Sequence, residues 1–593
     1  MLMQIWSVYR NVNALFLVEN SNAEDKMTST YMEINWYGGL FEVSIECNCK
    51  EKLNNEKGGN IMLVSAILVA LIAIGSQWWF SHTVTRTWLY PVWSGFLVAV
   101  VMGEPILGMQ AAAYIQLTYL GWITAGGTMP GNLMVAGIFG TALTIISGAS
   151  PNLAPTFAVP FSLLGILINQ AYMTINSFWI HKADKYLEEG NIRGVRLMNY
   201  VPSGLTATVL YGIPAFALVY FGGDFATKAL AAIPQPMIDA LNVVGALMPA
   251  LGIAMLLSFL GKKKIVAFFF IGYFLTIYAK IDTMAITVFA ALVAILIYIF
   301  TNSGNEEEDV VVAEEVQEER IRTGKQLTKK ELIKHFLLGY SSETCYNYER
   351  LQALGTANAM VPVVRKLYDT KEEQAKALKK YMVFFNTEPS WIGTVIHGVA
   401  ASMEEECANG ADIDAEDINA VRTGLMGPMA GIGDTVSQGI FYPILAGIAC
   451  SLALAGNIAG PILFEVGYKV LMLGMGYAMY MMGYKQGKNA IVKILSAGTL
   501  NRITEAFSIV GLMVVGNMAA TRVNIKTPIA FKVGEVAINM QNILNSLLPG
   551  VLPLIMTLLV WKLLSKKVKP TYIIVIIFVV GVITSLIGLL AVA

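Results

Sequence analysis

From Met62 to about Phe300, apolar runs follow one another with short polar breaks: 62–80, 92–121, 131–148, 156–180, 200–221, 242–260, 265–278 and 282–300. A second series occupies 424–455, 461–482, 507–520, 542–564 and 571–592. A helix needs roughly 20 apolar residues to cross a bilayer, and several of these runs are shorter. With Gly and Pro between them, the short runs predict re-entrant or half-helices. The pattern as a whole predicts an all-α polytopic membrane protein. Basic loops at His181–Arg196 and Lys262–Lys264 point to the cytoplasmic side.

Three stretches break the pattern. Residues 1–61 are polar and irregular, and their apolar pieces are too short to span or to act as a signal core. The codons for Lys57-Gly58-Gly59-Asn60-Ile61 can spell a purine-rich ribosome-binding tract just upstream of Met62. Residues 1–61 are therefore read as a non-membrane leader, either an over-extended gene reading with Met62 as the natural start or a real cytoplasmic leader. Residues 301–328 are highly charged and lack aromatics, which predicts a solvated cytoplasmic linker. The stretch 329–420 is the most polar part with helical signatures. Its residues Glu331–Leu338 place apolar side chains on one face at 3.6 spacing, so amphipathic interfacial helices are expected at the start of a second unit, 329–593.

The units 62–300 and 329–593 echo each other near their ends. Asn242 to Met248-Pro249 leads into an apolar run, Lys262-Lys263-Lys264 and another run. Asn542 to Leu548-Pro549 leads into an apolar run, Lys566-Lys567 and a final run. Such duplication suits transporters, whose solute site lies between related units. Between the linker and those final runs stands Gly424-Leu425-Met426-Gly427-Pro428-Met429-Ala430-Gly431-Ile432-Gly433-Asp434. Gly and Pro at this density predict a break in the helix. An acid at the mouth of a membrane-length run is expensive unless it serves a polar path.

Composition agrees and narrows the chemistry. The chain is 55% hydrophobic and 14% charged, with mean hydropathy +0.59; soluble domains carry about 25% charged residues. Net charge is zero and no basic domain stands out, which argues against nucleic acid. The five cysteines form no disulfide framework. Cys47-Asn48-Cys49 lacks the second pair that a structural metal site needs. The histidines (His82, His181, His335, His397) show no metal-ligand spacing, and no phosphate loop is present. Neither a metal, a cofactor nor a catalytic nucleophile is expected.

The second half, about Leu327 to Ala593, resembles the IID component of the mannose–fructose–sorbose family of the bacterial phosphoenolpyruvate-dependent sugar phosphotransferase system. The resemblance rests on Asn347-Tyr348-Glu349-Arg350-Leu351-Gln352-Ala353-Leu354-Gly355 and Phe384-Phe385-Asn386-Thr387-Glu388-Pro389. It continues through Glu404-Glu405, Ala408-Asn409-Gly410-Ala411, Gly424 to Asp434, Leu548-Pro549-Gly550 and Lys566-Lys567-Val568. The first half resembles the IIC component of the same family, through Gly103-Glu104, Gly108, Gln116-Leu117, Leu120-Gly121, Pro130, Asn132, Ile233-Pro234-Gln235, Ile238-Asp239 and Met248-Pro249-Ala250. The two components, usually separate chains, are fused here.

The resemblance implies a translocating unit without a phosphohistidine domain of its own, served by cytoplasmic IIA and IIB. It further implies a bacterial inner-membrane location, homo-oligomerisation as a trimer, and a hexose or N-acetylhexosamine as solute. Gln116 stands where many family members carry Glu, and Gly131 where some carry Asp. The Pro-x-Asn form at 130–132 and the run Pro234–Gly252 lean toward the N-acetylgalactosamine branch.

A sugar site needs donors and acceptors for hydroxyls and a planar wall. The candidates are Asn386, Glu388 and Asp434 in the second half and Gln116 and Asn132 in the first. Glu343 and Asn347 are secondary candidates, with Tyr346 as a stacking wall or core residue. For Asn386 and Asp434 the structural alternative is a helix cap. Glu404-Glu405-Glu406 reads as a solvated helix face, and the Met-rich stretch Met472–Met482 as small-residue helix packing. A gradient-driven secondary transporter, or a membrane scaffold or phage receptor, is the competing functional class.

Overall fold

The computed structural model describes residues 33–37, 40–44, 57–78, 86–121, 131–231, 234–261, 264–302, 324–487, 499–533 and 536–593. Cys47, Cys49, His82, Pro130, Ile233, Lys262, Lys263 and most of the leader and acidic linker lie outside the described residues. The chain divides into Met1–Met62 and Leu63–Ala593. In the first unit, strands β1 (Glu33–Tyr37) and β2 (Leu40–Ser44) form an antiparallel hairpin, with Glu33 opposite Ser44.

The second unit is almost entirely helical. Its first half runs from α1 (Lys57–Gln77), which begins before the boundary at Met62, through α2 (Pro91–Val101), α3 (Pro105–Thr118), α4 (Leu133–Ser147), α5 (Ala154–Glu188), α6 (Ile192–Ala207), α7 (Ile213–Ala231), α8 (Gln235–Leu247), α9 (Pro249–Leu260) and α10 (Ala267–Ala279) to α11 (Thr283–Asn302). The second half runs α12 (Lys329–Gly339), α13 (Ala353–Leu367), α14 (Lys371–Lys379), α15 (Thr394–Ala408), α16 (Ala415–Val436), α17 (Tyr442–Leu454), α18 (Ala459–Gln486), α19 (Thr499–Arg522), α20 (Met540–Leu547), α21 (Val551–Ser565) and α22 (Pro570–Leu586). Among the described residues, 5 helices are long and apolar enough to cross a membrane, or 6 if the bent pair α20–α21 is one span. That pair bends by 77°. Gly550 supplies the bend: at φ 73° it adopts a left-handed conformation that a side chain disfavours. The protein is an all-α polytopic membrane protein with a broken helix.

Packing explains several departures from the sequence reading. The run 92–121 is split, because Gly103 (φ 81°) turns the chain and Pro105 starts α3. Conversely, the break expected at 424–434 does not occur. That stretch is helical within α16 and passes through a π turn, Ser437–Phe441, into α17. Buried Leu425 and Met429 dock the helix on its neighbours and override the local cost of its glycines. Of the helices opening the second half, α12 and α14 are amphipathic, whereas α13 and α15 are buried along most of their length.

Glu404 and Glu405 are not a solvated face, as expected from sequence; both are buried. Glu404 accepts from Tyr368 Oη (2.7 Å), Tyr381 Oη (2.6 Å) and Lys380 Nζ (2.7 Å). Glu405 accepts from Tyr484 Oη (2.8 Å) and the Leu327 amide (2.7 Å). A carboxylate given that many donors is tolerated away from water.

The two halves close on each other by small residues and polar links. Helix α10 crosses α19 so tightly that a Cβ on Gly272 would run into the Met513 carbonyl, and one on Gly516 into the Phe269 carbonyl. Asn517 on α19 bonds Thr283 Oγ1 (2.8 Å) and Thr276 Oγ1 (2.8 Å) of the first half. Glycines 476 and 483 of the Met-rich α18 likewise lie against the Ser390 and Val395 carbonyls. Small residues and interhelical hydrogen bonds are the usual means of helix association in lipid.

Candidate functional site

Two irregular segments of the second half carry the polar groups. The first, 340–352, leaves α12 in a series of turns. Asn347 clasps it: Oδ1 accepts from the Glu349 (3.2 Å) and Arg350 (3.0 Å) amides, and Nδ2 donates to the Cys345 carbonyl (3.1 Å). The second, 381–393, is laced to the first through Gln352. The Gln352 amide N–H donates to the Phe385 carbonyl (2.9 Å). Its side chain accepts from the Thr387 amide (3.2 Å) and donates to the Thr387 carbonyl (2.7 Å) and Glu343 Oε1 (3.2 Å). Pro389 keeps Glu388 out of helix. The Glu388 carboxylate then accepts from the Ser390 (3.0 Å) and Trp391 (3.0 Å) amides and from the Ser390 hydroxyl.

Opposite these acids stands Arg86, which opens a short helical turn, Arg86–Leu89, in the first half. Its Nη1 lies 3.6 Å from Glu343 and its Nη2 3.7 Å from Glu388. Both distances exceed a hydrogen bond. Arg86 Nη1 is buried and has no hydrogen-bond partner among the described residues. The guanidinium also faces the Tyr340 ring at 5.8 Å. An aromatic group adjoins it: Tyr90 stacks on Tyr442 (centroids 4.4 Å), and its hydroxyl lies 3.5 Å from that of Tyr468.

Asp434 joins the cluster from the last turn of α16. Gly433 packs on the Glu388 side chain, and Trp391 Nε1 donates to the Gly433 carbonyl (3.1 Å). Asp434 accepts from Gln438 Nε2 (2.9 Å), and the charges of Glu388, Glu343 and Arg86 all act on it. It lies inside a helix, so it is not an N-cap. Asn386 is half-buried at the edge, where its Oδ1 accepts from Tyr346 Oη (2.9 Å).

The remaining candidates are engaged elsewhere. Gln116 accepts from the Val92 amide (3.2 Å) and donates to Tyr442 Oη, tying α3 to α17. Asn132 caps α4 through the Val135 amide (3.1 Å) and donates to the Gly165 carbonyl (3.2 Å). Asn347 is spent on its own turn. The structure therefore brings together Glu343, Glu388 and Asp434, with Asn386 alongside. Sequence reasoning missed Arg86 and Gln352. A lone arginine between the apolar runs 62–80 and 92–121 was the available signal for Arg86.

Comparison with known proteins gives this cluster its context. Residues 326–590 match the PTS system mannose/fructose/sorbose family IID component, and 63–296 match the PTS system sorbose-specific IIC component. Over 273 residues the chain is 40% identical to the sorbose-specific EIID component of Klebsiella pneumoniae, covering 45% of this chain and 99% of that one. The chain belongs to the mannose/fructose/sorbose family of phosphotransferase-system permeases. Its IIC region is 27% identical to the sorbose-specific EIIC component of Klebsiella pneumoniae over 207 residues, 35% of this chain and 77% of that one. A solved chain from the complex of mannose transporter ManYZ with microcin E492 is 36% identical, covers 45% of this chain and 99% of that chain, and has a TM-score of 0.27. IIC and IID regions are thus fused in one polypeptide. In this permease the cluster draws Arg86 from the IIC region and its acids from the IID region.

Proposed function

We propose that the permease carries a hexose or N-acetylhexosamine across the bacterial cytoplasmic membrane and presents it to a phosphorylated IIB partner, itself charged by IIA. The carrying observation is the loose Arg86–Glu343–Glu388 cluster, with an unpartnered Arg86 nitrogen and Asp434 and Gln352 beside it. Sugar hydroxyls both donate and accept, so they can replace these long ion-pair contacts by bonding the guanidinium on one side and a carboxylate on the other as the groups part. The aromatic group at Tyr90 and Tyr468 offers the planar wall. Substrate on the cytoplasmic face becomes a dianionic ester, which an apolar barrier will not return. Assembly as a trimer follows the family resemblance, as does a preference for N-acetylgalactosamine.

Uptake of radiolabelled mannose, fructose, sorbose and N-acetylgalactosamine tests this reading. One of them accumulates as its phosphate ester, and only when IIA, IIB and the general phosphotransferase proteins are present. Accumulation of free sugar that collapses with an uncoupler contradicts the reading and favours a gradient-driven transporter.

A further inference from the structure

The C-terminal part of α5 in the IIC region runs along the IID segment that bears Glu343. Tyr172 Oη donates to the Thr344 carbonyl (3.0 Å), and Asn176 Nδ2 donates to the Tyr346 carbonyl (3.1 Å). Farther on, His181 pairs with Glu349 (2.8 Å). Asp184 then receives both guanidinium nitrogens of Arg350, at 2.9 and 2.8 Å. The four α5 residues follow at intervals of 4, 5 and 3 positions, so the line of contacts winds around about half of the helix circumference. Their partners advance along 344–350 in the same order. Arg350 also donates to the Met382 carbonyl (3.1 Å), which leads into the segment bearing Asn386 and Glu388. Bidentate Arg–carboxylate pairs fix orientation as well as distance.

We infer that Asp184 and Arg350 are a positioning pair: α5 acts as a strut whose far end sets the placement of Glu343 and Glu388 opposite Arg86. Neither residue of the pair belongs to the Arg86 cluster. Both side chains are only partly buried, 28% and 29% exposed, and they line a cleft of about 980 Å³ with Glu188, Lys376 and Phe384. Exchange of the two charges is therefore tolerable there, whereas loss of one lets the turn at Asn347 shift. A displaced binding group weakens the hydrogen bonds it makes to the solute, and about 1.4 kcal/mol of lost binding is a tenfold change in affinity.

The inference rests on the sugar-permease reading for one of its two measurements and stands apart from it in the other. Asp184→Asn and Arg350→Gln are compared with the double exchange D184R/R350D, each in the full chain in membranes. Each single variant raises the KM for uptake of the transported sugar about tenfold with little change in maximal rate, and the exchange restores part of it, the Met382 bond being lost. Backbone hydrogen exchange in reconstituted bilayers, without sugar, reads the same pair directly. Amides of 343–352 exchange faster in the single variants and return toward wild type in the double, whereas those of 385–391 stay faster in Arg350→Gln and in the double, neither of which can bond the Met382 carbonyl. Unchanged exchange in the single variants, or a double no better than the worse single, overturns the inference. If the wild type accumulates no phosphorylated sugar while exchange responds as stated, the sugar reading fails and the strut stands.

Discussion

Arg86→Gln lowers sugar uptake by about 100-fold or more, with the variant still present in the membrane. Among the described residues, the guanidinium is the cation facing Glu343 and Glu388, at 3.6 and 3.7 Å. Hydrogen bonds to a charged group contribute about 1.5–3 kcal/mol each, so losing two from bound sugar reaches that range. Removal also leaves two acids facing each other, one with a fully buried side chain. The triple variant Arg86→Gln, Glu343→Gln, Glu388→Gln removes that repulsion; it recovers the amount of protein but not uptake. Arg86→Lys keeps the charge but not the fork that spans two carboxylates, and falls between. Uptake per unit of membrane protein measures all three, and wild-type uptake by Arg86→Gln removes the residue from the site.

Gly272→Leu separates the two halves and costs about 3 kcal/mol or more of stability. The obstacle it meets is the Met513 backbone, which cannot turn aside as a side chain does. Helix α10 must then lift from α19, stretching the Asn517 bonds to Thr276 and Thr283. Overpacking in a tight interface typically costs about 1–3 kcal/mol, and a backbone clash sits at the upper end. Gly424→Ala is the matched control, since a Cβ there meets open space; in a helix it is neutral or stabilising by about 0.5–1 kcal/mol. Thermal melts of the detergent-extracted protein read both. Equal melting temperatures for Gly272→Leu and wild type contradict the described crossing.

Helix positions were legible because apolar run length and Gly/Pro breaks are local. The bend before α21 coincides with the Leu548-Pro549-Gly550 motif for the same reason. The Gly424–Asp434 stretch misled, since local propensity is weak against the burial of Leu425 and Met429 on one side of α16. Glu404 and Glu405 misled differently. Three acids in a row read as wet, and their donors Tyr368, Lys380, Tyr381 and Tyr484 lie dispersed along the chain. The role of Arg86 was hard to read for a related reason: its acids belong to the other half of the polypeptide. Glu343, Glu388 and Asp434 were legible as acids in turns or apolar surroundings, where a charge is costly without a partner. The hydrogen-bonding role of an amide is harder to read. Gln116, Asn132 and Asn347 look the same in sequence whether they face a sugar or a backbone.

The central claim is that one sugar binds between the IIC and IID regions, held by Arg86 from one and by Glu343 and Asp434 from the other. A density map of the purified permease with its transported sugar bound tests it most directly. Sugar density within hydrogen-bond reach of Arg86 and of at least one of those acids is the predicted result. Density for the sugar elsewhere, with Arg86 and its acids closed on each other, contradicts it.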